Sequence, residues 1–396
     1  MKLCYLYLHR FAGTGSGRYM QSLISYLKSR HHDIYVVEGL RSKLTLLKGI
    51  NVKYVHFPFQ VPVYMGRNDV KKNIRISEIP DSKLLNLISR FAEWEIKINE
   101  KVGLDLVNTS HASILPFSAC IAGKTCGVPY VVTAHGTGLL SSLECKRNFE
   151  IARRGLEESE MVIADSHYIR NGIIKSFGLK KSKVRVIYPG VDTDTFRPVS
   201  KRMRSAIKRR YGCDGKKVVL SSGYFTDKRG FQDLLDAAKT YEKEDGSIHT
   251  IITGQGPYQK DMETMIKKNG LKNTKILGWL LRKDLVKLYS AADLFVTTPT
   301  WDVPFGLVPA EALSSGTPVI ASKAGMIPEI VGKENGELVS PGSPGEIADA
   351  VLRRIGDDGW KAAAGRNGRK TVLREFSSEV SGMKTESLYA SITGKK

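Results

Sequence analysis

Short apolar runs alternate with helical segments along the whole chain, and this alternation constrains the fold more than any other feature. In the first half the strand-like runs are residues 3–8, 34–37, 52–55, 105–108, 130–133, 162–164 and 184–187. Between the first two runs, apolar side chains from Tyr19 to Leu27 recur at helical spacing. Because strands that alternate with helices form a parallel sheet covered on both faces, the first half is predicted to be a doubly wound α/β domain.

The second half repeats this plan, with strand-like runs at residues 217–222, 249–253, 275–277, 294–297 and 319–321 and helical segments at 231–241, 258–268, 283–291 and 345–354. A chain of 396 residues is long for a single core, so two domains are expected. Pro189, Gly190 and Pro198 punctuate the sequence between the halves. The predicted boundaries are an N-terminal domain at 1–187, a hinge at 188–198, a C-terminal domain at 199–374 and a final segment at 375–396.

The composition is that of an ordinary globular protein, with 41% hydrophobic and 26% charged residues. No apolar run has the length that spans a bilayer, and His9 and Arg10 interrupt the first run, which favours a first β-strand over a signal peptide. The five cysteines are scattered and lack metal-ligand spacing. A reduced, cytoplasmic chain without a bound metal is therefore expected.

The formal net charge of +21 allows two interpretations. Basic clusters at residues 180–185 and 201–210 are either solvated surface or attract an anionic membrane or a phosphorylated acceptor. Residues 301–350 carry more acidic than basic side chains, which does not suit a surface that binds a polyanion. The sequence thus disfavours nucleic acid as a partner and leaves peripheral contact with a membrane open.

Residues 301–320 are predicted to form a loop, a short helix and a buried strand. Pro309 suits a first helical turn, Gly316 suits a left-handed cap at the helix end, and Pro318 prevents continuation. A helix start presents unpaired backbone N–H groups and the positive end of the macrodipole, and both favour a phosphate.

The N–H groups of this helix start would come from Phe305, Gly306, Leu307 and Val308. Glu311 lies about one turn into the helix, where its carboxylate could accept hydrogen bonds from sugar hydroxyls. A diphosphate next to sugar hydroxyls indicates a nucleotide-sugar.

This segment resembles the family 4 glycosyltransferases, retaining enzymes of the GT-B architecture that use a nucleoside-diphosphate sugar. In their pattern two Glu residues flank Phe-Gly-Leu-Val, and a Gly-Thr-Pro-Val strand follows. The second Glu corresponds to Glu311, whereas the first falls on Val303, with Asp302 as the nearest carboxylate. The resemblance implies that the first Glu handles the transferred sugar and the second the ribose.

Residues 186–198 resemble the interdomain hinge of the same family, and 305–331 carry its strongest motifs. The resemblance implies two doubly wound, Rossmann-like domains that face each other across a cleft. It also implies that residues 375–396 form a helix that crosses back onto the N-terminal domain.

In the N-terminal half, the turn from Gly13 to Gly17, including Gly15, follows the first predicted strand. Its backbone could let a phosphate or sugar approach the first helix, although tight turns use glycine for structural reasons as well.

His135 follows the strand at 130–133, and it matches a family histidine that lines the donor–acceptor cleft; a purely structural role is the alternative. Glu38, after the second strand, could instead act as the ribose-binding acid of a nicotinamide-dependent domain.

In the C-terminal half, the turn that begins at Gly223 follows a strand and opens a helix. A fixed cation there would stabilise the leaving diphosphate without a metal. The family places an Arg after the first Gly and a Lys before the last; here Tyr224 replaces the Arg, and Arg229 holds the Lys position next to Lys228.

Three further positions match nucleotide-binding turns of the family. They are Gly256 in a Gly-x-Gly-Pro turn, Trp279 where the family holds the nucleobase, and Glu329 in a Gly-x-x-Glu turn. Trp279 could stack on a base or could belong to the core or its rim.

The sequence thus predicts a retaining, metal-independent hexosyltransferase that uses a nucleoside-diphosphate sugar and a glycan, lipid-linked or small-molecule acceptor. The predicted catalytic residues are His135, Asp302, Arg229 and Lys228, and no metal or other cofactor is expected. One alternative is a nucleotide-sugar-binding homologue with little activity, because Val303 and Tyr224 replace charged family residues. The other is a nicotinamide-dependent oxidoreductase that uses the Gly13–Gly17 turn and Glu38.

Overall fold

The computed structural model describes residues 1–9, 14–40, 50–64 and 74–395. The chain divides into two compact units. The N-terminal unit comprises Met1–Gly190 together with Ser378–Lys396, and the C-terminal unit comprises Val191–Ser377.

Within its described residues, the N-terminal unit contains a seven-stranded parallel sheet. Its strands are β1 (Lys2–Tyr7), β2 (Asp33–Glu38), β3 (Asn51–Tyr54), β4 (Leu106–Ser110), β5 (Tyr130–Ala134), β6 (Met161–Ala164) and β7 (Val184–Val186). The spatial order is β3-β2-β1-β4-β5-β6-β7, so the direction of strand addition reverses between β1 and β4.

Helices cover both faces of this sheet, as the alternation of elements predicts. They are α1 (Gly15–Ser29), α2 (Asp81–Val102), α3 (Leu115–Cys126), α4 (Gly136–Ser142), α5 (Lys146–Glu157), α6 (His167–Phe177) and the terminal helix α15 (Ser378–Thr393). Strand β1 shows the pattern, because its side chains alternate between two buried clusters. Cys4 and Leu6 pack in the cluster that contains α2 and α3, whereas Tyr5 and Tyr7 pack in the one that contains α1 and α15.

The C-terminal unit has a six-stranded parallel sheet in its described residues. Its strands are β8 (Lys217–Tyr224), β9 (Ile248–Gln255), β10 (Thr274–Gly278), β11 (Leu294–Thr297), β12 (Val319–Ser322) and β13 (Gly336–Val339). The order β10-β9-β8-β11-β12-β13 places the reversal between β8 and β11. All five strands predicted for this half are present, and β13 is an additional strand.

The helices of the C-terminal unit are α7 (Lys201–Arg210), α8 (Phe231–Glu244), α9 (Gln259–Lys268), α10 (Arg282–Ala291), α11 (Leu307–Ser314), α12 (Ile327–Ile330), α13 (Pro344–Ile355) and α14 (Asp358–Thr371). A π-helical turn at Val372–Phe376 follows α14. Helix α11 ends as its sequence predicts, because Gly316 adopts a φ of 79° just beyond it.

The basic cluster at 201–210 lies on α7 and is largely ion-paired within its own unit. Arg204 and Lys208 contact the carboxylate of Asp293 at 2.8 and 2.6 Å. Arg209 pairs with Asp214 at 3.1 Å and Arg210 with Asp284 at 3.4 Å. Much of this cluster therefore serves packing within the C-terminal unit.

The segment predicted as a hinge, 188–198, contains the boundary between the units, which falls after Gly190. Val191 donates its N–H to the carbonyl of Phe376 at 2.8 Å. Arg369 donates to the carbonyls of Thr193 and Phe196 at 2.8 and 2.6 Å. Residues from Val191 onward are thus bound to the C-terminal unit. Across the described ranges, each helix is too short or too polar to cross a bilayer.

Candidate functional site

In the C-terminal unit the candidate residues converge on the carboxyl ends of β8, β11 and β12. Ligands of open α/β sheets bind where strand order reverses, and here that point lies between β8 and β11. Three loops meet there: residues 225–230 after β8, 298–306 after β11 and 323–326 after β12.

Hydrogen bonds hold the first two loops together. Thr298 Oγ1 donates to the carbonyl of Gly230 at 2.8 Å, and the N–H of Thr300 donates to the carbonyl of Lys228 at 3.1 Å. Gly230 has a φ of 66°, and a Cβ at this position would lie 1.6 Å from the carbonyl oxygen of Thr298. Only glycine allows this approach, which fixes the turn that carries Lys228 and Arg229.

Arg229 provides a fixed cation at this point. Its guanidinium is half-buried and makes no hydrogen bond or ion pair with any residue that the structure describes. Burial lowers the pKa of Arg229 from its usual value, but an arginine stays protonated at physiological pH. A cation that is partly desolvated and lacks an acidic partner favours an anionic ligand. The side chain of Lys228 is exposed.

Asp302, the carboxylate that the sequence offered in place of the first family Glu, is engaged in a contact between two loops. Asp302 is exposed, and its Oδ1 accepts a hydrogen bond from the N–H of Gly325 at 2.8 Å. Val303 is 4% exposed, so its side chain belongs to the interior. Asp302 thus joins the loop after β11 to the loop after β12.

Helix α11 begins at Leu307, one residue after Gly306. The expectation that the N–H of Gly306 is unpaired is wrong, because this group donates to Met326 Sδ at 3.2 Å. The N–H groups of Leu307 and Val308 have no protein acceptor among the described residues. These two groups, next to a half-buried Phe305, are the part of the predicted anion site that the structure retains.

Glu311 lies on α11 and is 6% exposed. Its Oε2 accepts a hydrogen bond from the hydroxyl of Tyr289 at 3.2 Å, and that hydroxyl also contacts Ser222 Oγ at 3.2 Å. The contact with Tyr289 anchors the carboxylate of Glu311 between α10 and α11. Tyr289 was not predicted as part of the site, since nothing in its local sequence indicates its partner.

The remaining C-terminal candidates lie on the neighbouring turns. Gly223 pairs with Gly254 at the end of β8, and a Cβ on Gly256 would lie 2.3 Å from the carbonyl oxygen of Phe225, so this turn needs a glycine for packing. Trp279 is 61% exposed beyond β10, which excludes the core alternative. Glu329 is half-buried on α12.

In the N-terminal unit, the turn before α1 is capped by its own side chains. Thr14 Oγ1 accepts the N–H of Gly17 at 3.0 Å, so this N–H is not open to a phosphate as predicted. Gly15 is the first residue of α1, and Gly13 lies outside the described residues. Glu38 is fully buried at the end of β2, which does not suit the ribose contact of the oxidoreductase alternative.

His135 follows β5 and is 5% exposed. Its Nδ1 lies 3.2 Å from Asp165 Oδ2, an acceptor, so the hydrogen bond assigns a proton to Nδ1, and the tautomer that carries it there has a lone pair on Nε2. That Nε2 is buried and has no hydrogen-bond partner in the described part of the chain. Asp165 was not predicted, although it directly follows β6 and the carboxyl ends of strands were the signal used for the other candidates.

A series of packed rings extends from His135 to His9. The ring of His111 lies 4.8 Å from that of His135 and 4.1 Å from that of Tyr64, measured between centroids. His9 contacts Tyr64 at 5.0 Å. Burial is the main cause that lowers the pKa of His111 and of His9, so both rings are neutral at physiological pH. Among the described residues, no group of three or more His, Cys, Asp and Glu side chains could hold a metal ion.

The protein has two doubly wound parallel sheets in separate units. At the reversal point of the second sheet lie a helix start and an arginine without a partner among the described residues. This arrangement is that of the GT-B glycosyltransferases. Comparison with known families supports this class directly. Residues 13–195 match the family described as Glycosyltransferase Family 4, and residues 203–371 match the family described as Glycosyl transferases group 1. The chain therefore belongs to the glycosyltransferases that these two families describe, and it is an enzyme of that kind.

Relatives and solved structures agree with this assignment. An uncharacterized glycosyltransferase of Methanocaldococcus jannaschii is 28% identical over 353 residues, which cover 86% of this chain and 90% of the relative. The N-acetyl-alpha-D-glucosaminyl L-malate synthase of Bacillus anthracis is 25% identical over 312 residues, covering 77% of this chain and 78% of the relative. Anabaena HepE, solved in complex with UDP, has the same fold with a TM-score of 0.79 at 22% identity, covering 99% of this chain and 100% of HepE.

Proposed function

We propose that this glycosyltransferase moves a hexose, with retention of anomeric configuration and without a metal, from a nucleoside-diphosphate sugar to an acceptor bound by the N-terminal unit. Arg229 carries the proposal, since this half-buried cation has no acidic partner in the described part of the chain and lies where strand order reverses. The unpaired N–H groups of Leu307 and Val308 and the anchored carboxylate of Glu311 follow on the next loop and helix.

These groups suit the chemistry of a leaving nucleoside diphosphate. When the bond between the anomeric carbon and the phosphate oxygen breaks, negative charge grows on the diphosphate, and Arg229 and the start of α11 would stabilise it. Glu311 would accept hydrogen bonds from the ribose. The acceptor oxygen would attack the anomeric carbon from the face that the diphosphate leaves. Its proton would pass to the departing phosphate oxygen, so no pair of carboxylates at glycosidase spacing is needed.

Neighbouring structures support a nucleotide-sugar donor. Anabaena HepE was solved with UDP and with UDP-glucose, and its fold matches nearly the whole of this chain. We propose that the acceptor is a glycan, a lipid-linked molecule or a small molecule. A cytoplasmic location and peripheral contact with an anionic membrane remain predictions from the cysteines and the net charge of +21.

One observation favours a second candidate function. Val303, in the interior, supplies no carboxylate where the family has its first Glu, and Asp302 Oδ1 already accepts a hydrogen bond from the N–H of Gly325. A nucleotide-sugar-binding homologue with little transferase activity therefore stays as the alternative. The variant Asp302→Ala separates the two when donor binding and transfer are measured independently. An active enzyme would lose turnover, whereas a binding protein would change little.

A donor screen tests the proposed function. UDP-, GDP- and ADP-sugars are incubated with the protein, with and without EDTA, and donor hydrolysis and glycosylated products are followed by mass spectrometry. We expect turnover of at least one donor that survives EDTA, and a product whose anomeric protons in NMR show retention.

Two variants connect that turnover to the site. Arg229→Ala removes the cation, and we expect turnover to fall about a hundredfold, the size of one lost electrostatic contact in the transition state. Glu311→Gln should weaken donor binding. Arg202→Ala, on α7, removes another arginine without an ion-pair partner in the described residues and serves as the matched control. Equal effects of Arg229→Ala and Arg202→Ala would contradict the proposal.

A further inference from the structure

Tyr289 is a buried side chain whose hydroxyl lies between two elements of the C-terminal unit. The residue is in the last turn of α10 and is fully buried. Its hydroxyl donates to Glu311 Oε2 on α11 at 3.2 Å and lies 3.2 Å from Ser222 Oγ near the end of β8. The hydroxyl of Tyr289 therefore contacts both the strand that leads to Arg229 and the helix that carries Glu311.

The chemistry of these three groups sets the direction of both hydrogen bonds. An ionised carboxylate only accepts, so the single proton of the Tyr289 hydroxyl points at Glu311. Ser222 then donates its own proton to the oxygen of Tyr289. Hydrogen bonds to a carboxylate are stronger than those between neutral groups, and hydrogen bonds in series polarise one another. The series from Ser222 through Tyr289 thus ends on the carboxylate and stabilises its ionised form.

Packing keeps the ring of Tyr289 in place. The ring lies 5.4 Å from that of Phe295 on β11 and 5.8 Å from that of Phe196, measured between centroids. The backbone carbonyl of Tyr289 also accepts a hydrogen bond from Thr317 Oγ1 at 2.5 Å. Because neither the ring nor the backbone can move far in a close-packed interior, the hydroxyl determines where one oxygen of Glu311 lies.

A carboxylate held in this way can select the pentose of a nucleotide. A carboxylate accepts about four hydrogen bonds, so the one from Tyr289 leaves capacity for both the 2′- and the 3′-hydroxyl of a ribose. Since the Glu311 carboxylate is already oriented, binding the two hydroxyls costs little side-chain freedom. A 2′-deoxyribose lacks one donor and would leave a buried acceptor without its hydrogen bond, which disfavours binding.

We propose that Tyr289 is a positioning residue that makes the site select ribose over 2′-deoxyribose in the donor nucleotide. This inference rests on the proposed function, in which Glu311 binds the ribose. It adds that ribonucleoside diphosphate sugars are donors, whereas thymidine diphosphate sugars, which carry 2′-deoxyribose, are not. Tyr289 does not touch the nucleotide and acts through the carboxylate of Glu311.

Binding of paired nucleotides to the full chain tests this proposal. Isothermal titration calorimetry gives the Kd values of UDP, GDP and ADP and of their 2′-deoxy and 2′,3′-dideoxy counterparts. For the ribonucleotide that binds most tightly, we expect the natural protein to prefer it about tenfold or more over its 2′-deoxy form, the size of a lost hydrogen bond to a charged group.

Tyr289→Phe removes the hydroxyl and keeps the ring. We expect it to weaken binding of that ribonucleotide about three- to tenfold, the size of one lost hydrogen bond, and to leave the dideoxy form nearly unchanged. In turnover assays the donor KM should rise by a similar factor, while kcat changes less. Tyr289→Met also lacks the hydroxyl and is the second variant if Tyr289→Phe does not fold.

Two controls separate positioning from a general loss of stability. Tyr241→Phe deletes the hydroxyl of another fully buried tyrosine in the same unit, which lies 2.7 Å from Thr250 Oγ1, and it should leave the ribose preference unchanged. Glu311→Ala should abolish the preference. Adding Tyr289→Phe to Glu311→Ala should then have no further effect on it, because Tyr289 acts through Glu311.

Three results would overturn the inference while leaving the donor assignment intact. They are equal affinity of the natural protein for ribo- and dideoxynucleotides, an equal loss of affinity for both in Tyr289→Phe, and a loss of ribose preference in Tyr241→Phe as large as in Tyr289→Phe. If neither a nucleoside diphosphate nor a nucleotide-sugar binds the natural protein, the donor assignment fails together with the inference.

Discussion

His135 and Asp165 show how one side chain can fix the chemistry of another. The carboxylate at 3.2 Å from Nδ1 sets the protonated nitrogen and the ring orientation, and the lone pair of Nε2 stays available for a ligand hydroxyl. The rings of Tyr19 and His111 pack against the same imidazole at 5.9 and 4.8 Å, which restricts its rotation.

We expect Asp165→Asn to lower turnover about tenfold or more while donor affinity stays nearly unchanged, because an amide can hold the wrong tautomer of His135. The measurement is kcat and donor Kd for Asp165→Asn beside Glu150→Gln, which alters an exposed carboxylate of the same unit. If donor affinity fell as much as kcat, Asp165 would act by stabilising the fold and not by orienting the imidazole of His135.

Glu95 is a second residue whose surroundings are unusual. It is fully buried on α2, and neither carboxylate oxygen has a hydrogen-bond partner within the described chain. Burial raises the pKa of Glu95 well above its usual value, so the folded protein holds this side chain protonated at pH values where the unfolded chain is ionised.

The stability of the N-terminal unit should therefore fall as the pH rises above about 4.3, the pKa of glutamate in an unfolded chain. Glu95→Gln cannot ionise, so its advantage in unfolding free energy over the natural protein should grow by up to about 1.4 kcal/mol per pH unit until the raised pKa is reached. Urea unfolding at several pH values measures the unfolding free energy of each protein, and amide hydrogen exchange in α2 reports on the N-terminal unit. The exposed Glu93→Gln on the same helix is the control, and parallel pH profiles for all three proteins would refute the prediction.

At the scale of elements, the turn after β8 depends on its contact with the loop after β11. Gly230 approaches Thr298 so closely that a Cβ would overlap the carbonyl oxygen, and its φ of 66° is unfavourable for other residues. This contact sets the position of Arg229 relative to α11.

Gly230→Ala should destabilise the C-terminal unit by about 1–3 kcal/mol and weaken donor binding, because the two loops must separate. Gly246 lies in a loop of the same unit with no atom within 4 Å of an added Cβ. Gly246→Ala should accordingly be neutral or slightly stabilising. Calorimetry and donor titration compare the two variants. Equal stability and equal donor affinity of Gly230→Ala and Gly246→Ala would show that the contact between Gly230 and Thr298 is unimportant.

The sequence predicted most elements because their patterns are local. All seven strands of the N-terminal sheet and five of the six C-terminal strands were found, and Gly316 marked the end of α11. Strand β13 was missed because Gly336–Val339 is short and only partly buried, so its apolar signal is weak. The pairing of Gly306 with Met326 joins two loops, and no local pattern contains it.

At the scale of the molecule, the terminal helix completes the N-terminal unit. Tyr389 on α15 is fully buried, and its hydroxyl accepts from Asn108 Nδ2 at 2.5 Å and contacts the hydroxyl of Tyr5 at 3.4 Å. Glu386 lies 2.8 Å from His32 Nε2. Helix α15 must therefore be in place before α1 and the first strands gain their full packing.

Tyr389→Ala should cost the N-terminal unit about 3–5 kcal/mol, the usual cost of deleting a large buried ring. Hydrogen exchange should show lost protection in α1 and β1 and normal protection in the C-terminal unit. Tyr168→Ala, at a side chain that is 39% exposed on α6, is the control. Uniform loss of protection across both units would contradict the division of the molecule.

For the site, the sequence identified residues that follow strands, since parallel strands end at a common edge. Arg229 and His135 were proposed in this way, whereas Glu311 was proposed from its position one turn into a predicted helix and from the family pattern. The contacts of Asp165 and Tyr289 depend on which side chains meet in three dimensions, and single-sequence patterns do not contain those contacts.

We propose above all that the carboxyl edge of the C-terminal sheet binds the diphosphate of an activated sugar. A crystal structure with the donor selected by the screen tests it most directly. We predict that the diphosphate lies against Arg229 and the N–H groups of Leu307 and Val308, with the ribose hydroxyls at Glu311. A donor bound elsewhere, with these groups unoccupied, would contradict the account.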